Sequence, residues 1–186
     1  MKKRLLQLTR VFLLLFYKKK WISGKWFDHY HSGYKWAIKS IPHRILHYRK
    51  PWPYGKNAII QSGKNLLIAQ SSLNCIQGTC YIQNKRYKVT IGNNCYIANN
   101  VGLITEQHDV YDLDNHSEGK EITIGDWCWL GMNVVIMPGV VLGDHTVVGA
   151  NSVVTRSFQG GYVVIAGAPA KVIREIDKDK VAGVCI

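Results

Sequence analysis

From Ile124 the sequence divides into sixes without adjustment: IGDWCW, LGMNVV, IMPGVV, LGDHTV, VGANSV and VTRSFQ. The first place holds Ile124, Leu130, Ile136, Leu142, Val148 and Val154. The fifth holds Cys128, Val134, Val140, Thr146 and Ser152, all slender. Upstream the same register runs through IGNNCY and IANNVG to Leu103, with Cys95 and Val101 in the fifth place. Ile76, Cys80 and Ile82 read as a worn earlier copy. A period of six belongs neither to an α-helix nor to a single alternating strand. It is the period of a parallel β-helix in which short strands meet at tight corners. Three hexads make one triangular coil. The leading aliphatic residues stack along the axis, and the fifth residues face inward where a corner leaves little room. Gly and Asn beside the corners are expected to supply positive φ.

The beat stops once. Between Leu103 and Ile124 the chain reads LITEQHDVYDLDNHSEGKEITI, a loop over 104–123 carrying His108 and His116 among acids. A rigid coil has no reason to lose its register there unless the inserted segment does something a coil cannot.

The charge is unevenly placed. The net +12 divides into 14 Lys or Arg against one acid, Asp28, in residues 1–56, and 10 against 11 in residues 57–186. The body is therefore neutral, and no nucleic-acid-binding module accompanies the basic N-terminal segment, so nucleic acid is not the expected partner. The apolar run VFLLLFY is too short to span a membrane, which takes about 20 residues. KKKW follows it where a signal peptide would show small residues. Residues 1–20 suit a helix lying on an anionic membrane surface, or one packed on the protein's own core or a partner subunit. Residues 21–56 carry four Trp and four His without the hexad period, and PWPYG (51–55) marks a turn-rich boundary. The expected organisation is a basic arm over 1–56, helical or irregular, then a β-helix over 57–169 whose coils are imperfect up to residue 90. A capping helix and tail follow over 170–186, because Val172, Ile173 and Ile176 have helical spacing. Five cysteines (75, 80, 95, 128 and 185) form neither a disulfide framework nor a zinc motif, which points to reduced thiols in a cytoplasmic protein. His43 and His47 have metal-ligand spacing on a helix but no acid or Cys nearby, so no metal is expected.

Three stretches together resemble the hexapeptide-repeat acyltransferases, in the branch of the maltose and galactoside acetyltransferases and the surface-polysaccharide O-acetyltransferases. They are ITIGDWCWLGMNVVIMPGVVLGDHTVVGANSVVTRSF (122–158), AGAPAKVIREI (166–176) and the His-bearing loop. The resemblance covers about half the chain, roughly 89–176. It implies a left-handed β-helix, against the usual right-handed crossover rule, assembled as a homotrimer with acetyl-CoA in the groove between neighbours. It also implies transfer of an acetyl group to a sugar hydroxyl.

By position, His108 matches the family's general base. The chemistry agrees, because a hydroxyl is a poor nucleophile and a base titrating near neutrality can take its proton. Glu106, Asp109 or a backbone carbonyl could orient the imidazole. His116 looks at most substrate-side, and His145 falls on an exposed corner. Trp129 matches the aromatic residue bordering the active groove, with Trp127 also facing outward. For acetyl-CoA the matching positions are Gly131, Ala150, Thr155 and Arg156, followed by Lys171 and Arg174 for the phosphates. Met132 stands where relatives carry a polar residue, and SFQGGYVV replaces their proline-rich connector. The acceptor region QGTCYIQNKRYKVTIGNN lacks the family's acid and offers Arg86, which would suit an acidic sugar or a lipid-linked diphosphate acceptor. Competing expectations are a non-enzymatic β-helical scaffold and a metal-dependent hydratase of the carbonic-anhydrase kind. The first has no use for a His loop, and the second lacks a second well-placed coil His.

Overall fold

The computed structural model describes residues 2–29, 31–46 and 51–182. His47 and Cys185 lie outside these, as does the His43 side chain, so the expectations for them are not addressed. The chain enters through α1 (Lys2–Leu13) and α2 (Ser32–Leu46). The first coils carry β1 (Ile59–Ile60), β2 (Leu66–Ile68), β3 (Cys80–Gln83) and β4 (Val89–Ile91). Next come β5 (Tyr96–Ile97), β6 (Val101–Ile104), β7 (Ile122–Ile124) and β8 (Trp129–Leu130). The later coils carry β9 (Val135–Ile136), β10 (Val141–Leu142), β11 (Val147–Val148) and β12 (Val153–Val154), ending in β13 (Val163–Gly167) and β14 (Ala170–Glu175).

These strands form three sheets, parallel throughout except at β14, visited in rotation as the faces of a left-handed triangular prism. Face A is β1-β3-β6-β9-β12, face B is β2-β4-β7-β10, and face C is β5-β8-β11-β13-β14. The hexad register is the pairing register: Leu103 lies opposite Ile136, Ile124 opposite Leu142, and Leu130 opposite Val148. All of these side chains are buried. Fifth-place residues line the interior as expected. The buried hydroxyls of Thr146 and Ser152 donate to the carbonyls of Gly143 and Gly149, each at 2.7 Å, which removes the cost of an unpaired polar group.

The corners match expectation at Asn and depart from it at most of the Gly. Gly92, Gly125, Gly131, Gly143 and Gly149 do not have positive φ. They are glycine because the next coil is too close: a Cβ on Gly131 would lie 2.7 Å from the Ala150 nitrogen. The left-handed conformation falls two residues later, on Asn94, Trp127, Asn133, Gly139, His145 and Asn151.

The N-terminal end takes the core-packed alternative, and the C-terminal end departs from expectation. The N-terminal segment is a cap continuous with the core: Leu13, Tyr17, Ile22 and Phe27 are buried in the same cluster as the coil interior. Trp52 and Tyr54, in the expected boundary, are buried too. At the C-terminus, the helix expected from residue 170 is instead the strand β14, antiparallel to β13, with a short helix α3 at Lys178–Ala182. Exposed backbone groups at the edge of β13 would otherwise lack partners, and pairing them outweighs a helical spacing of three apolar residues.

Candidate active site

The interruption is a hydrogen-bonded hairpin standing off the corner between faces A and B. The Lys120 N–H donates to the Thr105 carbonyl at 2.8 Å, Ser117 to Gln107 at 3.0 Å, and Asp109 to Asn115 at 2.9 Å. Gly119 is buried at its root, where the Tyr87 ring leaves no space for a side chain. At the tip, Asp109 Oδ1 accepts from the Tyr111 and Asp112 amides, and Asn115 Nδ2 donates to Asp112 Oδ2.

This ladder sets His108 directly opposite His116, with their rings stacked at 4.3 Å between centroids. His108 Nδ1 is 2.7 Å from the Leu113 carbonyl. A carbonyl only accepts, so Nδ1 carries the proton and the neutral ring presents an Nε2 lone pair. Of the three orienting groups open to the sequence, the backbone carbonyl is the one used. Asp109 is turned into its own tip. Glu106 is buried, accepting from Arg86 Nε at 2.6 Å. Arg86 is thus held at the hairpin root by Glu106, which lies two residues before His108 in the chain, and its Nε is engaged.

The remaining residues fall in three places. Thr155 and Arg156 are on the hairpin's own corner, where a cleft of about 380 Å³ runs between Gln107, Ser117 and Lys120 on one side and Met137, Pro138 and Thr155 on the other. Arg156 also lies over the Phe158 ring. Gly131 and Ala150 stack on the corner between faces C and A, beside the exposed Met132. Lys171 reaches the same edge, opposite Ala166, which packs against Gly149. Trp129, 55% exposed, begins an outward row across face C through Val147 and Val164 to Arg174. That row floors a groove of about 660 Å³ closed by Ile176 and Val181. Among the described residues, Arg156, Lys171 and Arg174 have no carboxylate partner, so their charge is available to phosphates, which is what a bound coenzyme A would require. No three His, Cys, Asp or Glu side chains converge as metal ligands among the described residues. Within one chain, then, His108, Thr155 and Arg156 share one corner, whereas the Trp129 groove occupies the opposite face and Gly131, Ala150 and Lys171 the next corner.

Sequence reasoning missed the His108–His116 stack, although two His flanking a DLDN turn could have signalled a hairpin. It also missed the row Trp36–Trp26–Tyr96, with centroids 5.2 and 6.2 Å apart, that extends face C beyond Trp129.

Residues 114–156 match the family described as bacterial transferase hexapeptide (six repeats). Galactoside O-acetyltransferase of Escherichia coli (strain K12) is 49% identical over 98 residues, which cover 50% of this chain and 48% of that protein. The chain therefore spans about half the length of that relative. A protein of Staphylococcus aureus (strain COL) named putative acetyltransferase SACOL2570 is 35% identical over 87% of this chain and 92% of its own. Among solved structures, galactoside acetyltransferase in complex with coenzyme A superposes with a TM-score of 0.56 at 29% identity, over 95% of this chain and 84% of that one.

Proposed function

This chain belongs to the hexapeptide-repeat transferases, and from that premise we propose that it moves an acetyl group from acetyl-CoA to a sugar hydroxyl in the synthesis of a capsular or exopolysaccharide. The observation that carries the reading is His108, whose Nδ1 is tied to the Leu113 carbonyl so that Nε2 is free to act as a base. Acetyl-CoA supplies an acyl thioester, an electrophilic carbonyl with a thiolate leaving group. His108 Nε2 takes the proton of the acceptor hydroxyl as its oxygen attacks, and the resulting imidazolium returns that proton to the departing sulfur. The Leu113 carbonyl keeps the imidazole in one tautomer and orientation through both transfers. Lys171, Arg174 and Arg156 pair with the nucleotide's phosphates, Gly131 and Ala150 offer backbone at the coil edge, and Trp129 borders the reacting end.

The reading includes a homotrimer. In this reading the hairpin of one copy serves the groove of its neighbour, because His108 and the edge of Gly131 and Ala150 lie on different sides of one chain, and Arg156 reaches the phosphates from the hairpin side. The exposed tip residues Val110, Tyr111 and Leu113 suit that contact. The acceptor is a saccharide, free or lipid-linked, and the enzyme works at the inner face of the cell membrane. No described helix is long and apolar enough to cross a membrane. Leu5, Leu8, Phe12 and Leu15 form an exposed apolar stripe beside exposed Lys18, Lys19 and Lys20, as peripheral attachment to anionic lipid requires. The test is acetyl-CoA-dependent acetylation of a glycan panel by the wild type and His108→Ala. Loss of the base should lower the rate by about 10²–10⁴-fold; an unimpaired variant contradicts the assignment.

A further inference from the structure

The first 105 residues hold 18 Lys or Arg and one acid, whereas residues 106–186 hold 6 against 11. A β-helix advances along its axis as the sequence advances, so this asymmetry is spatial: the N-terminal end of the prism is strongly positive. The single acid, Asp28, is taken up by Arg10 at 3.1 Å.

At that end lies a cleft of about 640 Å³ between α2 and the first coils. Trp36 and Lys39 come from α2, Tyr54 and Lys56 from the segment entering β1, and Gln77 and Asn99 from the coil corners. Its floor is polar but largely committed. Gln77 Nε2 donates to the Pro53 and Leu73 carbonyls, and Asn99 Oδ1 accepts from the Thr79 amide. Those bonds leave Gln77 Oε1 as an acceptor and the Asn99 amide as a donor, a pair suited to adjacent sugar hydroxyls. Trp36 supplies a ring beside them. Lys39 and Lys56 are exposed, and among the described residues neither has a carboxylate partner.

The cleft lies on the same edge, between faces C and A, as Gly131 and Ala150. A continuous ladder joins them: the Asn133 amide donates to the Asn99 carbonyl at 3.1 Å, and Asn133 Nδ2 donates to Asn151 Oδ1 at 2.9 Å. Neighbouring coils are about 4.8 Å apart, so Asn99 is about 10 Å from the Ala150 level. A saccharide in the cleft would lie in line with the cofactor edge.

We propose that this cleft is the acceptor subsite and that it selects an acceptor bearing an anionic group, which Lys39 and Lys56 bind while the pyranose ring lies against Trp36. This rests on the acetyl-transfer reading. It moves the recognition of negative charge from Arg86, whose Nε is held by Glu106, to two lysines that are unengaged. The anion is a carboxylate on the sugar or a phosphate of a carrier attached to it, and both would be read by the same two ammonium groups.

Binding of three probes to the full chain by calorimetry decides the matter: a glucuronic-acid-containing disaccharide, its neutral methyl ester, and a neutral disaccharide linked to geranyl diphosphate. At least one anionic probe should bind about tenfold tighter than the ester. A preference for the glucuronate locates the anion on the sugar, and a preference for the diphosphate locates it on the carrier. The double variant Lys39→Gln/Lys56→Gln should lose that preference, and Lys35→Gln, an equal charge removal on the same helix, should keep it. Equal binding of charged and neutral probes, no binding of any probe, or a preference surviving in the double variant overturns the proposal. His108→Ala separates the two readings, because it should bind the anionic probe normally while failing to acetylate it. Binding with the predicted preference but no acetylation by the wild type would leave the subsite standing and remove the acetyl-transfer reading.

Discussion

At Trp127, His145 and Tyr162 the chain puts three ring-bearing side chains into the left-handed backbone region, with φ of 58°, 54° and 52°. Each such residue costs about 1 kcal/mol or more where glycine would cost nothing. The rings lie one above another on the corner between faces B and C, 6.0 and 4.7 Å apart, and Lys178 lies over the last. Stacking of this kind contributes about 0.5–1.5 kcal/mol per pair and offsets much of the strain. His145 is thus a member of a column rather than a solvent-facing corner. The hexad period was fully legible in the sequence, because leading and fifth places obey simple burial. The division of labour between second and fourth places was not, because clearance between coils exists only once coils are stacked. Asn133, at φ 61° and bonded to Asn151, isolates the conformational term. Asn133→Gly and Asn133→Ala both lose that bond, yet chemical denaturation should find the alanine variant less stable than the glycine variant by about 1 kcal/mol. Equal stabilities would mean that the left-handed corner carries no strain.

The hairpin over 105–120 is the element that turns a scaffold into a candidate enzyme. Its position could be read from the sequence because it breaks the period. Its internal order could not, since the Leu113 carbonyl that orients His108 has no signature in side-chain identity. Likewise β14 was hidden, because strand pairing depends on a free edge that a residue pattern does not reveal. The root of the hairpin depends on the Arg86–Glu106 pair, where the carboxylate is 5% exposed and the arginine 53%. Arg86→Ala leaves that carboxylate buried and unpaired. With half the arginine in solvent, the cost should be about 1–3 kcal/mol. Limited proteolysis should then cut within 107–119 faster than in the wild type, and transfer should fall equally for charged and neutral acceptors. A selective loss of charged acceptors would instead show Arg86 touching substrate.

On the scale of the molecule, sequence order becomes axial order, and the basic N-terminal third becomes one positive end with α1 across it. The distribution of charge was plain in the sequence, but the fusion of that segment with the coil core was not, because hexad logic stops where the aromatic cap begins. Leu13 and Tyr17 are buried, so removing residues 1–20 would damage the fold along with any membrane contact. The double variant Leu8→Glu/Leu15→Glu is the better probe, since these side chains are 68% and 77% exposed. Wild-type protein should sediment with phosphatidylglycerol vesicles, less so as salt rises, and the variant should stay in the supernatant with its trimer intact. If the variant instead binds vesicles normally but loses its trimer, the stripe belongs to a second copy.

In the proposed enzyme the base and the edge of Gly131 and Ala150 meet only between copies. Complementation measures this directly, using His108→Ala, which lacks the base, and Ala150→Trp, which obstructs the exposed edge between faces C and A. Each should be inactive alone. Co-expressed in equal amounts, they should recover roughly a quarter of wild-type acetyl transfer, because in a cyclic trimer one interface in four pairs an intact hairpin with an intact edge. Mixed trimers as inactive as their parents would place the whole site within one chain and rule out a site shared between copies.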